Sequence, residues 1–559
     1  MSLQVPVNVP GQLPPMPLTR AAVPDGVSRD PGAEGRAAGA DGSGGKVAGS
    51  VHRIVRNSTW NLVVQGLYAV LNLAAIMVLA RGMGQSALGE YYTLFALVIT
   101  VQLVVELGLS TVLTRRIAQA PGRWREIVAE ATGLVALVAL LSASVFVAVG
   151  GAWAWLRGEP ALVPLCALAG LTCAAMQVQR FCGGVFRAFE QFGYENVAKL
   201  LQGALFALLI VGLLGRGFVG LGSVLAMLAV SYVAAAGFLI VGLRGRARGI
   251  GWRLNLAVVK DWLAEAVPLG VGDVVRGLTW QLDTVLLSLL QPAAVVGIYS
   301  VAYRPLGPLN WLPRTVLTAT FPAFARMAGA DPEALNRAFA SSIRLLWIIS
   351  LPIAVGICIC AEPAVMILAG REYLEAAAPL RLLIWITCLS FLSFQYRFLF
   401  AAVGKQRVLA QLVVVVFVVE AVIELVAIPW WGYFGACAGS LVGEVVFTVA
   451  GLAVCARHGI GKVEWSALAR AALAGAVMGI VLWFGRGLPL PLLFVAAALS
   501  TGLYFVLCLW WGALRGSEVR HFYDALISPL RTATRRVAAG DNRPGAVPEP
   551  DGGCSWNGA

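Results

Sequence analysis

The stretch GVGDVVRGLTWQLDTVLLSLL, residues 270–290, sets Asp273, Arg276 and Asp283 inside an otherwise apolar run. Two carboxylates and a guanidinium offer ion pairing, exchange of a proton or cation, and capture of phosphate, which the planar Arg fork suits. At about 100° per residue, Asp273, Arg276, Trp280 and Asp283 fall on one stripe, and the other faces carry Val and Leu. The next run holds Arg304 and Arg314 ten residues apart, expected to share a side, with Asn310 nearby. In a later run Glu420 and Glu424 lie one turn apart on a single face.

The elements that must position these residues are membrane helices. Of 559 residues, 59% are hydrophobic and 13% charged, with mean hydropathy +0.80. A soluble domain carries about 25% charged residues, and about 20 apolar residues span a bilayer. We count fourteen spans, near 58–80, 90–113, 127–150, 161–185, 197–215, 218–243, 264–290, 295–325, 341–369, 377–402, 406–429, 433–456, 466–485 and 489–513. Loops after even-numbered spans, with the span ends that adjoin them, hold twenty-one Lys and Arg, among them Arg180, Arg344 and Arg397, against five after odd-numbered ones. Basic loops prefer the cytoplasm, so both termini are expected there. That bias accounts for most of the net charge of +13. The tail RGSEVRHFYDALISPLRTATRR reads as a basic interfacial helix on anionic lipid.

A charge at mid-bilayer costs at least ~2.5 kcal/mol, so the internal charges must face one another or water. Local pairing of Asp273 with Arg276 and a water-filled cavity both remain open at this level. Acids inside spans also include Glu106 and Glu444, and Pro305, Pro308 and Pro313 interrupt the span of Arg304.

An internal repeat organises the chain. ALGEYYTLFAL (87–97) matches VVGIYSVAYRP (295–305), and RGFVGLGSVLA (216–226) matches WGYFGACAGSL (431–441), at offsets of 208 and 215. The fold class is therefore an all-α polytopic membrane protein of about fourteen helices. Two six-helix bundles, related in parallel by an axis along the membrane normal, surround a central cavity, with a C-terminal helix pair added. The expected organisation is a disordered cytoplasmic tail (1–56), an N-terminal bundle (57–243), a basic linker (244–263), a C-terminal bundle (264–456), the helix pair (457–513) and a basic tail, partly disordered (514–559).

Several classes are disfavoured. Nine of ten cysteines lie in or beside apolar segments, where free Cys acts as a small hydrophobe. Three histidines near membrane edges or in tails build no metal constellation. No P-loop supports ATP-driven transport, no soluble basic domain supports nucleic-acid binding, and no cofactor is expected. A polymerase or ligase would need a sizeable outer loop with catalytic groups, and the outer loops are short.

The residues NSTWNLVVQGLYAVLNLAAIMVLARGMGQSALGEYYTLFALVITVQLVVELGLSTVLTRRIA and QLDTVLLSLLQPAAVVGIYSVAYR carry a resemblance. They resemble the polysaccharide transporter, or oligosaccharide flippase, family of the multidrug/oligosaccharidyl-lipid/polysaccharide (MOP) exporter superfamily, over about 55–515. The resemblance implies a non-enzymatic flippase in the bacterial cytoplasmic membrane. Its cargo would be an undecaprenyl-diphosphate-linked oligosaccharide for surface polysaccharide, such as exopolysaccharide or O-antigen. Coupling to H+ or Na+ is expected, with a polysaccharide polymerase and other assembly proteins as partners beside membrane lipid. Arg276, Arg304 and Arg314 are then expected to contact the diphosphate. Asp273, Asp283, Glu420, Glu424 and Glu106 are candidates for ion coupling or sugar contact. A cation-coupled drug exporter of the same superfamily and a membrane polymerase or ligase are the rival readings. Three internal arginines would repel cationic drugs.

Overall fold

The computed structural model describes residues 42–214, 220–244, 256–461 and 463–515. The tail expected to form a basic interfacial helix, the repeat residue Gly217, most of the linker and the first 41 residues lie outside that set. The chain divides into a short unit, Met1–Ile54, whose described part is the opening of a helix, and the body, Val55–Ala559.

Among the described residues the chain has sixteen α-helices and no strand. Such a chain must satisfy its backbone internally where lipid surrounds it, and helices do so. The first helix, α1, runs Gly42–Glu106 and so begins inside the stretch expected to be a disordered tail. Gly84, at φ 73° and ψ 169°, breaks it, which makes two spans of one run. A second break follows at Leu107 (φ 46°) and Gly108 (φ 82°), before α2 (Leu109–Gln119). Then come α3 (Trp124–Leu156), α4 (Val163–Ala188), α5 (Phe192–Leu214) and α6 (Leu221–Arg244). In this N-terminal half α4 is central and packs on α2, α3, α5 and α6.

The C-terminal half opens with α7 (Leu256–Leu290), which contacts α2 and α3 as well as α13 and so bridges the halves. The proline-rich run divides as the sequence suggests. Helix α8 (Ala293–Tyr303) gives way to a 3-10 segment, Arg304–Asn310, before α9 (Trp311–Ala330). Next are α10 (Pro332–Ile359), α11 (Ala361–Ala369), α12 (Ala377–Ala402), α13 (Gln406–Trp431) and α14 (Tyr433–Arg457). The added pair, α15 (Trp465–Gly485) and α16 (Leu490–Trp510), packs on α10. Eleven helical stretches are long and apolar enough to cross a membrane. Exposed Trp430, Trp431, Phe484 and Trp510 stand at helix ends, where aromatic belts form.

The repeat has a physical expression. A Cβ on Gly89 would meet the Ala293 carbonyl oxygen at 1.8 Å, and one on Gly297 would meet the Gln85 carbonyl oxygen at 2.1 Å. These contacts are reciprocal, since each glycine sits four residues after the partner its mate touches. Equivalent glycines of the two repeats thus cross backbone to backbone, as in small-residue membrane crossings.

The same end is tied by Arg81 to the Ile367 carbonyl (2.7 Å) and by Arg157 to the Gln291 carbonyl (2.6 Å). At the opposite end Gly270 packs on the Leu107 carbonyl, and Arg115 and Arg116 both bind Glu265. The halves therefore touch at both ends of the space between them.

Candidate functional site

Two chambers flank the 3-10 segment, and Gly307 lines both. The C-half chamber, about 120 Å³, holds Trp280 and Asp283 from α7 and Glu420 from α13. Since a water takes about 30 Å³ in the liquid, it has room for an ion with a few waters.

The acids lie where helix packing puts them. On α14, Gly435, Gly439 and Gly443 recur every four residues and face α13. A Cβ on Gly439 would meet Glu424 Cγ at 2.3 Å, so only glycine lets the Glu424 stem lie against that backbone. Asp283 is 3% exposed and accepts a hydrogen bond from the Tyr299 hydroxyl. Ser440 lies within hydrogen-bonding reach of both Asp283 and Glu420. Glu424 is 0% exposed, and neither of its carboxylate oxygens has a hydrogen-bond partner among the described residues. The charges of Asp283 and Glu420 both bear on it. The structure thus gathers Asp283, Glu420 and Glu424 in one region between α7, α13 and α14.

The arginines separate. Asp273 and Arg276 pair with each other on α7, both about half exposed. Arg276, Arg314 and Arg397 lie near enough for their charges to repel one another. Arg304 does not join them. It lies over the Tyr92 ring at 4.5 Å and the Phe95 ring at 5.4 Å, in the N-half chamber. The expectation that Arg304 and Arg314 share a side assumed 100° per residue throughout. The 3-10 segment turns about 120° per residue, and over Arg304–Asn310 the difference swings the two arginines apart.

Glu106 belongs to neither chamber. It is 6% exposed, pairs with Arg180 at 2.6 Å and accepts from the Ser110 backbone N–H at 3.2 Å. It therefore caps α2 after the Leu107–Gly108 break and ties α1 to α4.

On sequence Arg397 counts with the cytoplasmic loop charge, just inside the end of its span, and so is not named there as a site residue. It sits within α12, lines the C-half chamber, and lies over the Phe394 and Phe447 rings at 5.0 and 5.3 Å. Its Nε is buried without a hydrogen-bond partner, and Glu444 is the carboxylate that bears on it. Arg180 in α4 pairs with Glu106 and Arg344 in α10 pairs with Glu464, so these two, counted with the basic loops from just inside their spans, also turn to internal partners. The signal for Arg397 was its setting, SFQYRFLFAA, where five residues still separate it from the helix end. The spaced glycines of GACAGSLVGE were a second unread signal.

Comparison with known proteins agrees with this architecture. The model of the polysaccharide biosynthesis protein family matches residues 54–328. No curated protein matches the chain significantly. A solved structure described as the lipid II flippase MurJ, inward closed conformation, is 10% identical, with a TM-score of 0.66, covering 83% of this chain and 99% of that one. An inward-facing multidrug resistance MATE family transporter of the MOP superfamily is 17% identical, with a TM-score of 0.57, covering 70% of this chain and 94% of that one. These relatives are transporters rather than enzymes. The chain is thus similar to the polysaccharide biosynthesis proteins over residues 54–328 and shares the fold of these flippase and transporter structures.

Proposed function

We propose that the protein flips an undecaprenyl-diphosphate-linked oligosaccharide across the bacterial cytoplasmic membrane by alternating access. The observation that carries this reading is the group of Arg276, Arg314 and Arg397, whose charges bear on one another and of which Arg397 lines the C-half chamber. Three guanidiniums suit a diphosphate through paired, charge-assisted hydrogen bonds and would repel a cationic drug. Arg276 and Arg314 retain the diphosphate role, and Arg397 joins them.

Contact between the halves at both ends corresponds to an occluded state. Opening one end means parting Glu265 from Arg115 and Arg116. Opening the other means parting the Gly89–Gly297 crossing. The breaks at Leu107–Gly108 and Arg304–Asn310 are the points at which the moving helices bend. Asp283, Glu420 and Glu424 supply the coupling. No group of three or more His, Cys, Asp or Glu side chains among the described residues converges on one point as a metal site would. Carboxylates strung along α7 and α13 suit a proton passed between them better than a cation held by all of them. Asp273 serves as the local partner of Arg276.

The direct test is reconstitution in liposomes with a fluorescent undecaprenyl-diphosphate sugar in one leaflet. The expected result is transfer to the other leaflet, faster with a pH gradient. Transfer no faster than in protein-free liposomes would reject the flippase reading.

Fourteen crossings with cytoplasmic termini follow from the same reading. The kinked α1–α2, α7 and the α8–α9 run would supply crossings beyond the uninterrupted apolar helices. Cysteines placed at Arg371 and Arg486 should react with an impermeant maleimide from the outside, and cysteines at Arg123 and Glu333 only after permeabilisation. Seven of the nine described native cysteines are buried, so background labelling should be low. Outside labelling at Arg123 and Glu333 would overturn this topology.

A further inference from the structure

The N-half chamber, about 290 Å³, is chemically unlike its neighbour. Its size is at the lower edge of the roughly 300–1,000 Å³ typical of small-molecule sites. Tyr68, Tyr92 and Trp311 give it aromatic walls, Asn72 and Gln202 give it amides, and Arg304 is the one charged side chain among its described lining residues. These residues come from α1, α5 and the 3-10 segment with the start of α9, so both halves build it.

We propose that this chamber is the glycan subsite, taking the hydroxyl-rich pyranose sugars next to the diphosphate, and that Arg304 is a sugar contact there. The inference rests on the flippase reading and adds where the head group divides.

Three observations carry it. First, the polar groups are prepared but unspent. Gln202 is 5% exposed, and its side-chain oxygen accepts from the Tyr68 hydroxyl at 3.2 Å. Its amide nitrogen and the Tyr92 hydroxyl have no hydrogen-bond partner among the described residues. Both residues line the chamber, and neither atom is among the buried, unpartnered polar atoms, so these unpaired donors are open to a ligand's hydroxyls.

Second, the wall chemistry matches a pyranose and mismatches the other parts of the cargo. A pyranose has apolar C–H faces, which pack on aromatic rings, and a rim of hydroxyls, which amides bind. A polyprenyl chain would leave the amides unsatisfied, at about 1–3 kcal/mol for each buried group. A diphosphate would meet a single cation here and three in the other direction.

Third, Arg304 is fixed for this use. The Tyr92 and Phe95 rings hold its guanidinium by cation–π contact. Its N–H groups have no hydrogen-bond partner among the described residues, which leaves them to donate to sugar oxygens. Gly307 lines both chambers, so a diphosphate at the arginines and sugars in this chamber are within reach of one molecule.

The experiment measures equilibrium binding of purified protein in nanodiscs to two probes, undecaprenyl diphosphate and undecaprenyl diphosphate carrying a neutral disaccharide. Wild type should bind the glycosylated probe at least 10-fold more tightly. Gln202→Leu and Trp311→Leu should each weaken that probe about 3- to 10-fold and leave the bare diphosphate within 2-fold. Tyr92→Phe, which keeps the ring under Arg304, guards against misfolding and should lose about 2- to 5-fold on the glycosylated probe alone. Equal losses on both probes, or no preference in wild type, would overturn the glycan subsite. Binding of neither probe by wild type would instead remove the flippase reading beneath it. Arg276→Gln separates the two further, since it should weaken both probes together.

Discussion

Arg276→Gln is expected to reduce transfer of a lipid-linked sugar about 10- to 100-fold while leaving the protein inserted and close to wild-type stability. A hydrogen bond to a charged group contributes about 1.5–3 kcal/mol, and that range sets the loss. Stability should hold because the Asp273–Arg276 pair is about half exposed, and exposed pairs contribute about 0–1 kcal/mol. Were the pair buried, removing one partner would cost about 3–5 kcal/mol, and the variant would unfold early. Arg276→Lys should recover part of the activity, because an ammonium keeps the charge and loses the planar fork. Arg314→Gln should follow Arg276→Gln, whereas Arg397→Gln should lose transfer and stability together, since it leaves Glu444, whose Oε1 is buried, without the charge that bears on it.

The competing explanation is that Arg276 only neutralises Asp273. It has a separate signature. Asp273→Asn combined with Arg276→Gln removes both charges at once. If that double variant regains transfer, the arginine served its neighbour and the diphosphate role is lost. If it remains inactive and stable, the arginine serves the cargo. Measuring transfer in liposomes beside thermal unfolding of the same preparations gives both answers.

The sequence discloses periodicity well and tertiary proximity poorly. The stripe on α7 follows from 100° per residue, and Asp283 and Trp280 do line a chamber. The repeat shows in Gly89 and Gly297, yet nothing in a one-dimensional match says that the two glycines touch. Arg304 shows the cost of assuming an ideal helix: three prolines nearby announced a disturbance but not its pitch. Arg397 failed for a different reason. Counting basic residues toward loops treats every arginine near a span end as solvated, and this one turns inward over two phenylalanines. Glu106 seemed comparable with the other internal acids until its partner appeared. Arg180 is 74 residues away in the chain, and no local pattern links the two.

Glu424→Gln is expected to uncouple transfer from the pH gradient, with the gradient-driven component falling at least 10-fold. Glu424 is 0% exposed, and both of its carboxylate oxygens lack a hydrogen-bond partner among the described residues. An ionised carboxylate left uncompensated in such a place costs several kcal/mol. The group must therefore carry a proton or hold a cation in the occluded state. Glutamine copies the shape of the protonated acid and cannot release a proton. The variant should accordingly be as stable as wild type at neutral pH, or more so, because the cost of ionising the site is gone. Gly439 tests the packing half of the argument. Gly439→Ala should destabilise by about 1–3 kcal/mol, the usual cost of overpacking, because its Cβ would fall 2.3 Å from Glu424 Cγ. The choice between proton and cation is read from thermal unfolding in detergent. If the proton is the coupling ion, wild type should gain stability as pH falls, sodium should have no effect, and Glu424→Gln should abolish the pH response. A sodium-dependent rise in Tm that Glu424→Gln removes would overturn proton coupling and make the same three carboxylates the wall of a cation site.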